Sequence, residues 1–167
     1  MSGSGPAVIA AALAATGVSP ATDANRAGEP LDPVAFFTGA SYSQGRLREA
    51  FKSERRLTAE SVGHAEKDGS LILDQKLAIE GDPLRIRRWR LHLAAPGRYV
   101  GTLTDAAGPV EAQVMGRAIR IRYPMKGGLK VESWLTAVPG ARAFDNKTTI
   151  TKWGLQVATL TERIEKR

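Results

Sequence analysis

Between Arg85 and Tyr123 the chain alternates apolar and polar residues in four short runs, interrupted at Pro96-Gly97, at Ala107-Gly108-Pro109 and at Gly116. Runs this short, with period-two alternation, read as strands. Connections of one to three residues are too short for a parallel crossover, so neighbouring strands must be antiparallel. No Cys occurs in the sequence. Disulfides, thiolate chemistry and cysteine-ligated zinc are therefore excluded.

The same pattern continues on both sides. Residues 43–51 and Arg55–Ala65 read as a hairpin turning near Lys52 and Ser53, and Lys67-Asp68-Gly69 reads as the next hairpin turn. Residues 70–79 place Leu71, Leu73, Leu77 and Ile79 on one face, with Gln75 breaking the apolar row. Further strands are expected at 84–93, 98–104, 110–115, 118–125, 129–138, 148–153 and 155–164. Gly127-Gly128 reads as a hairpin turn, Phe144-Asp145-Asn146-Lys147 as a turn before a strand, and Gly154 as a bulge or bend. Seventeen Gly and nine Pro spread along 167 residues fit many turns and one core. The expectation is an all-β antiparallel barrel or strongly curved sheet of roughly eight to ten strands.

Residues 32–167 are expected to form the single barrel domain, and residues 1–31 a signal-like or disordered leader and linker. The run Pro6 to Val18 is apolar and Ala-rich, too short to span a bilayer and of the length of a signal-peptide core. Thr22-Asp23-Ala24 would serve as a cleavage site, but Met1 to Gly5 carries no Lys or Arg. At the start of the domain Asp32-Pro33 opens a short helix as N-cap and first helical residue. Val34, Phe36 and Phe37 would pack that helix, and Gly39 ends it, as a plug for a barrel end or as a clamp where the chain enters.

The order of residues along the domain resembles one known family. It runs Leu73-Asp74, Gly81-Asp82, Arg87-x-Trp89, Tyr99-x-Gly101 with Asp105 and Gly108, Gly116, Tyr123, Trp134-Leu135, Asn146-Lys147, and Lys152-Trp153-Gly154. This is similar to the bacterial envelope (lipo)protein family known as domain of unknown function 3833. The resemblance implies a lipocalin-like, calycin-type barrel in a Gram-negative envelope protein without an established activity. It implies the periplasm or cell envelope as location; the N-terminal run, if it is not a signal peptide, would leave the protein in the cytoplasm. Lys147 stands where the family tends to have Arg, and Glu132-Ser133 where an acidic pair precedes the Trp. Relatives are commonly acylated on a cysteine that this sequence lacks.

The strand over 84–93 carries the most chemistry. Arg85, Arg87, Trp89, Leu91 and Leu93 share one face, and Ile86, Arg88, Arg90 and His92 the other. The first face holds the apolar residues and should point inward, which puts a guanidinium inside a barrel, where it needs a partner or an anionic ligand head. One reading has Arg87 fixing the polar end of an amphipathic ligand while Trp89, Tyr99 and Trp134 line the cavity. The other has Arg87 stacked on an aromatic and closing a side-chain-filled barrel. Trp134 alternates with the apolar Leu129, Val131 and Leu135 rather than joining them. Asn146 and Lys152 complete the candidate ligand-binding set, with Lys152 able to meet a ligand carboxylate or Asp105. Asp74 is expected to pair with Arg88 or Arg90 across strands.

No residue pattern calls for a metal or cofactor, and the two His, His64 and His92, fall on different strands. The formal charge of +7 reflects 24 Lys and Arg against 17 Asp and Glu. Arg88, Arg90, Arg120 and Arg122 could form a basic stripe, but no aromatics interleave with it, which argues against nucleic acid. An anionic membrane surface fits the same residues. The leading expectation is a non-enzymatic envelope protein binding an apolar or amphipathic, lipid-like small molecule. The alternatives are a barrel enzyme with acid–base chemistry, isomerase- or hydrolase-like, and a solid-cored structural or interaction domain. A ligand binder requires an open apolar cavity. An enzyme requires at least two of Arg87, Asp105, Tyr99, Asn146 and Lys152 within hydrogen-bond reach there.

Overall fold

A computed structural model describes residues 30–167 of the chain. One helical turn, α1 (Pro33–Phe37), leads into β1 (Gly39–Glu49), β2 (Arg55–Ala65), β3 (Leu71–Ile79), β4 (Arg85–Ala95) and β5 (Arg98–Leu103). There follow β6 (Val110–Met115), β7 (Ala118–Met125), β8 (Leu129–Ala137), β9 (Ala143–Lys152) and β10 (Leu155–Lys166). Each strand pairs antiparallel with its predecessor, and β10 returns to pair with β1, so the sheet closes as an up-and-down barrel. Closure leaves no sheet edge unpaired. Of the leader and linker expected over residues 1–31, residues 1–29 lie outside the described residues, while Leu31 is buried in the core, one residue ahead of the expected domain start at Asp32.

Alternation does most of the folding work. In β3, Leu71, Leu73, Leu77 and Ile79 are buried and Gln75 shares their face. In β8, Val131, Ser133, Leu135 and Ala137 point inward and Trp134 points out. One expected turn is strand instead. Phe144 to Lys147 belongs to β9, because Asp145 pairs with Arg163 (2.8 Å) and Asn146 Nδ2 donates to Glu162 Oε1 (2.8 Å), both on the neighbouring β10. These cross-strand partners override the turn preference of Asp and Asn. Gly154 is no bulge within a strand. With Trp153 it forms the two-residue turn between β9 and β10, both at positive φ.

The helix plugs one end of the barrel and is clamped there. Asp32 caps it by accepting from Ala35 N (3.0 Å), with Pro33 in its first turn. Phe36 is buried edge-on to Phe144 of β9, ring centroids 4.5 Å apart, among Ala112, Ile119 and Leu135 of β6, β7 and β8. The backbone of Phe37 lies directly on β2 at Gly63, where a Cβ would stand 1.8 Å from the Phe37 carbonyl oxygen. From β10, Lys166 Nζ donates to the carbonyls of Ala35 (3.3 Å), Phe36 (2.7 Å) and Thr38. These carbonyls would otherwise end the helix without partners.

Among the described residues no helix is long and apolar enough to cross a membrane, and no cluster of three or more His, Cys, Asp or Glu could hold a metal ion.

Candidate functional site

Opposite α1 the barrel is open. A cavity of about 280 Å³ runs from Phe37 at its floor to Glu49, Arg55, Asp82 and Asp105 at its mouth. Leu57, Ala59, Leu71, Leu73, Ile121, Val131 and Leu135 are among the apolar residues of its walls. An interior of this kind, small and mainly apolar with a few polar groups, is the usual shape of a small-molecule site. The barrel is not filled by its own side chains.

Two polar groups interrupt the apolar lining. On one wall, Arg87 of β4 stands beside Trp89, its guanidinium 5.3 Å from the indole centroid. Only 13% of its side chain is exposed, and Nε lies 3.3 Å from Asp105 Oδ2. Its Nη2 donates to Tyr123 Oη at a long 3.4 Å. Nε is buried and has no hydrogen-bond acceptor of acceptable geometry. The same looseness continues deeper, where Trp89 Nε1 donates to Gln75 Oε1 at 3.5 Å and Gln75 Nε2 to Ser61 Oγ at 3.4 Å. Tyr123 meets Trp89 edge-on, with centroids 5.7 Å apart.

The other polar group serves itself. Ser133 and Thr148 hydroxyls lie 2.7 Å apart, and Asn146 Nδ2 donates to Thr148 Oγ1 (3.3 Å) and Glu162 Oε1 (2.8 Å). Gly45 on β1 makes room for it, since a Cβ there would come within 2.5 Å of Glu162 Cβ. A buried set with its bonds made costs little and asks for nothing from a ligand. Arg87 differs: a guanidinium with five N–H donors and so few acceptors is left wanting one.

At the mouth Arg55 of β2 ties β1 to the turn between β3 and β4. Its Nη1 donates to Asp82 Oδ1 (2.7 Å) and its Nη2 to Glu49 Oε2 (2.5 Å). Burial works to raise the Glu49 carboxyl, but hydrogen bonds from Lys52 and Arg55 outweigh it and hold the group below its ordinary value. Hydrogen bonds from Arg55 to Asp82 and then to Glu49 raise the guanidinium in turn.

Of the residues expected at the site, Arg87, Trp89 and Asn146 line the cavity. Tyr99 does not; it faces inward but packs on the closed-end cluster, where burial and then the Asp32 charge raise its hydroxyl. Trp134 lies on the outer face, donating to Glu132 (3.0 Å) under the Arg120 guanidinium. Its alternation with Val131 and Leu135 had already separated it from the inner row. Lys152 sits on the rim with its ammonium 4.7 Å from the Trp153 ring centroid, and Asp105 goes to Arg87 instead. Of the five groups of which an enzyme would need at least two within reach, Arg87 and Asp105 meet, 3.3 Å apart. Tyr123, Ser133, Thr148 and Glu162 also line the cavity. The rows Val131, Ser133, Leu135 and Leu160, Glu162, Ile164 were signals for Ser133 and Glu162; the room for Glu162 comes from Gly45 across the sheet.

The basic stripe is largely neutralised. Arg88 binds Asp74 (2.6 and 2.8 Å), Arg120 binds Glu132 (2.6 Å) and Arg122 binds Glu111 (3.2 Å). The Asp74 pair is the cross-strand bridge expected from the sequence, and Arg88 holds the Asp74 carboxyl below its ordinary value.

Residues 10–166 match the family described as Protein of unknown function (DUF3833). The chain belongs to that family. The match starts ahead of the barrel and covers nearly all of the sequence. Among solved structures the DUF3833 barrel is similar to an S-type phycobiliprotein lyase, CPES, from Guillardia theta, with a TM-score of 0.61 and 7% identity over 79% of this chain and 89% of that one. At that identity the likeness is one of fold, and it makes this DUF3833 protein a lipocalin-like antiparallel barrel. A search of curated proteins finds no match.

Proposed function

We propose that the barrel binds an amphipathic, lipid-like small molecule without transforming it, its apolar body in the cavity and an anionic or oxygen-rich head at Arg87. The observation that carries this is the Arg87 guanidinium: 13% exposed, beside Trp89, its Nε in an ion pair with Asp105 Oδ2 at 3.3 Å but without a well-aligned hydrogen bond. A buried donor without a partner costs roughly 1–3 kcal/mol, more when charged, and a carboxylate or phosphate oxygen would recover it. Arg87 lies two residues into β4 from the mouth, so a head there leaves the tail directed toward Phe37. The setting we infer is the bacterial envelope, supported by the family and by the apolar run Pro6 to Val18. Sequencing the mature N-terminus from the native host tests it; Met1 or Ser2 intact would contradict cleavage after Ala24.

The direct test is native mass spectrometry of protein purified from its own host. A co-purifying molecule is expected in the wild type and its loss in Arg87→Gln. If nothing is bound and Arg87→Ala alters only stability, the ligand reading is wrong. A second reading, a barrel enzyme, is favoured by the approach of Arg87 and Asp105 inside the cavity and by the solved neighbour being a lyase. Recovery of a chemically altered molecule after incubation, abolished by Asp105→Asn, would select it.

A further inference from the structure

Two large aromatics occupy backbone positions that ordinarily belong to glycine. Phe51 and Trp153 have φ of +62° and +51°, and among the described residues they are the only ones other than Gly at positive φ. A bulky side chain there costs about 1–2 kcal/mol relative to glycine. Neither side chain packs into the barrel, and Trp153 carries the Lys152 ammonium 4.7 Å from its ring centroid. Phe51 is fully exposed, Trp153 is 85% exposed, and the adjoining Leu155 is 70% exposed. Both aromatics sit at hairpin tips on the open end of the barrel, and the hairpins are neighbours: β1 pairs with β10, and Ala50 N bonds Val157 O at 2.9 Å. Continuing round the rim come Lys152, Lys130 and Lys126, none with a carboxylate in ion-pair distance among the described residues. The rim's own carboxylates are already taken. Glu49 and Glu54 are held by Lys52, Arg55, Arg46 and Arg48, and Asp82 by Arg55 and Arg85.

We propose that this crescent of the mouth, Phe51, Trp153 and Leu155 flanked by Lys126, Lys130 and Lys152, docks on a bilayer surface bearing anionic headgroups. Exposed aromatics beside free lysines are what an interfacial contact requires: rings that enter the headgroup boundary and ammonium groups that meet lipid phosphates. The free positive charge selects a negative surface, and the crescent borders the cavity opening rather than the plugged end. It deepens the ligand-carrier reading by naming where the cavity meets its source of lipid, and rests on that reading only for the purpose of docking.

Vesicle co-sedimentation tests it, with phosphatidylcholine alone and phosphatidylcholine mixed with phosphatidylglycerol, alongside size-exclusion light scattering. The wild type should bind the mixed vesicles and release at high salt. Phe51→Gly and Trp153→Gly should each weaken binding about tenfold or more. Because glycine suits positive φ, both variants should melt no lower than the wild type, so lost binding cannot be ascribed to unfolding. Lys126→Gln, Lys130→Gln and Lys152→Gln should each weaken it about fivefold, on anionic vesicles only. Wild-type binding by the glycine variants, no preference for anionic vesicles, or a dimer that the glycine variants dissolve would each overturn the proposal. Ligand retention by native mass spectrometry is read separately. A variant that keeps its ligand but leaves the vesicle separates the crescent from the cavity, and the converse result in Arg87→Gln completes the separation.

Discussion

The two ends of this barrel are built on opposite terms. At the closed end, Phe36, Phe144, Ile119 and Leu135 are buried together, Gly63 receives the helix backbone, and Lys166 binds the last carbonyls of α1. At the mouth, large apolar side chains stand in solvent, polar side chains tie the rim together, and Phe51 and Trp153 hold unfavourable backbone conformations. The closed end therefore supplies stability and the mouth spends part of it. Binding surfaces are drawn from such low-stability regions. A barrel sealed at one end needs only one rim that another molecule can enter.

The sharpest way to break this contrast is Phe36→Ala, which should cost about 3–5 kcal/mol in urea denaturation by emptying a fully packed site. Lys166→Met should cost about 1.5–3 kcal/mol, since a charged donor to several carbonyls disappears, and limited proteolysis should then attack near α1 first. Gly63→Ala should cost about 1–3 kcal/mol by pushing the Phe37 carbonyl off β2; an unchanged urea midpoint would mean that the helix does not rest there.

Acid should act on the mouth and outer face and spare the closed end. Glu49, Glu132, Asp74 and Asp145 are all held below their ordinary values of 4.5 and 3.8, Glu49 by Lys52 and Arg55 and the other three first by arginine partners. A lowered carboxylate contributes stability that is present above its unfolded pKa and lost as pH falls through the folded one. Stability should thus be flat from neutrality down to the ordinary carboxylate range and decline below it. Glu49→Gln with Glu132→Gln should blunt that decline in urea midpoints taken across the pH range. The smallest effect is expected at the rim itself. Phe51→Gly should leave the melting temperature unchanged or raise it by the equivalent of about 1 kcal/mol.

Most of the fold was legible because a strand's side-chain period is set locally. Leu71, Leu73, Leu77 and Ile79 declare their face without reference to anything else, and Gln75 was visible as the break in that row. The failure at Phe144 to Lys147 has the opposite cause: Asp145 and Asn146 prefer turns until Arg163 and Glu162 arrive from β10. Within the site, Arg87 and Trp89 followed from alternation in one strand. Tyr99 was placed on the correct face and at the wrong end, since alternation assigns a face and carries no information about depth. Trp134 was misjudged by residue type against its own alternation.

By itself, the sequence determined the all-β class, the meander of short strands, the inward face of nearly every strand and the capped turn at Asp32-Pro33. Each depends on the sterics of neighbouring residues along one chain. Only the tertiary structure decided that β10 closes on β1, that α1 seals one end, and that Arg87 enters the cavity short of acceptors while Asn146 has all it needs. Those outcomes depend on what a side-chain tip meets across the barrel, and that is set by register and closure between segments far apart in the chain.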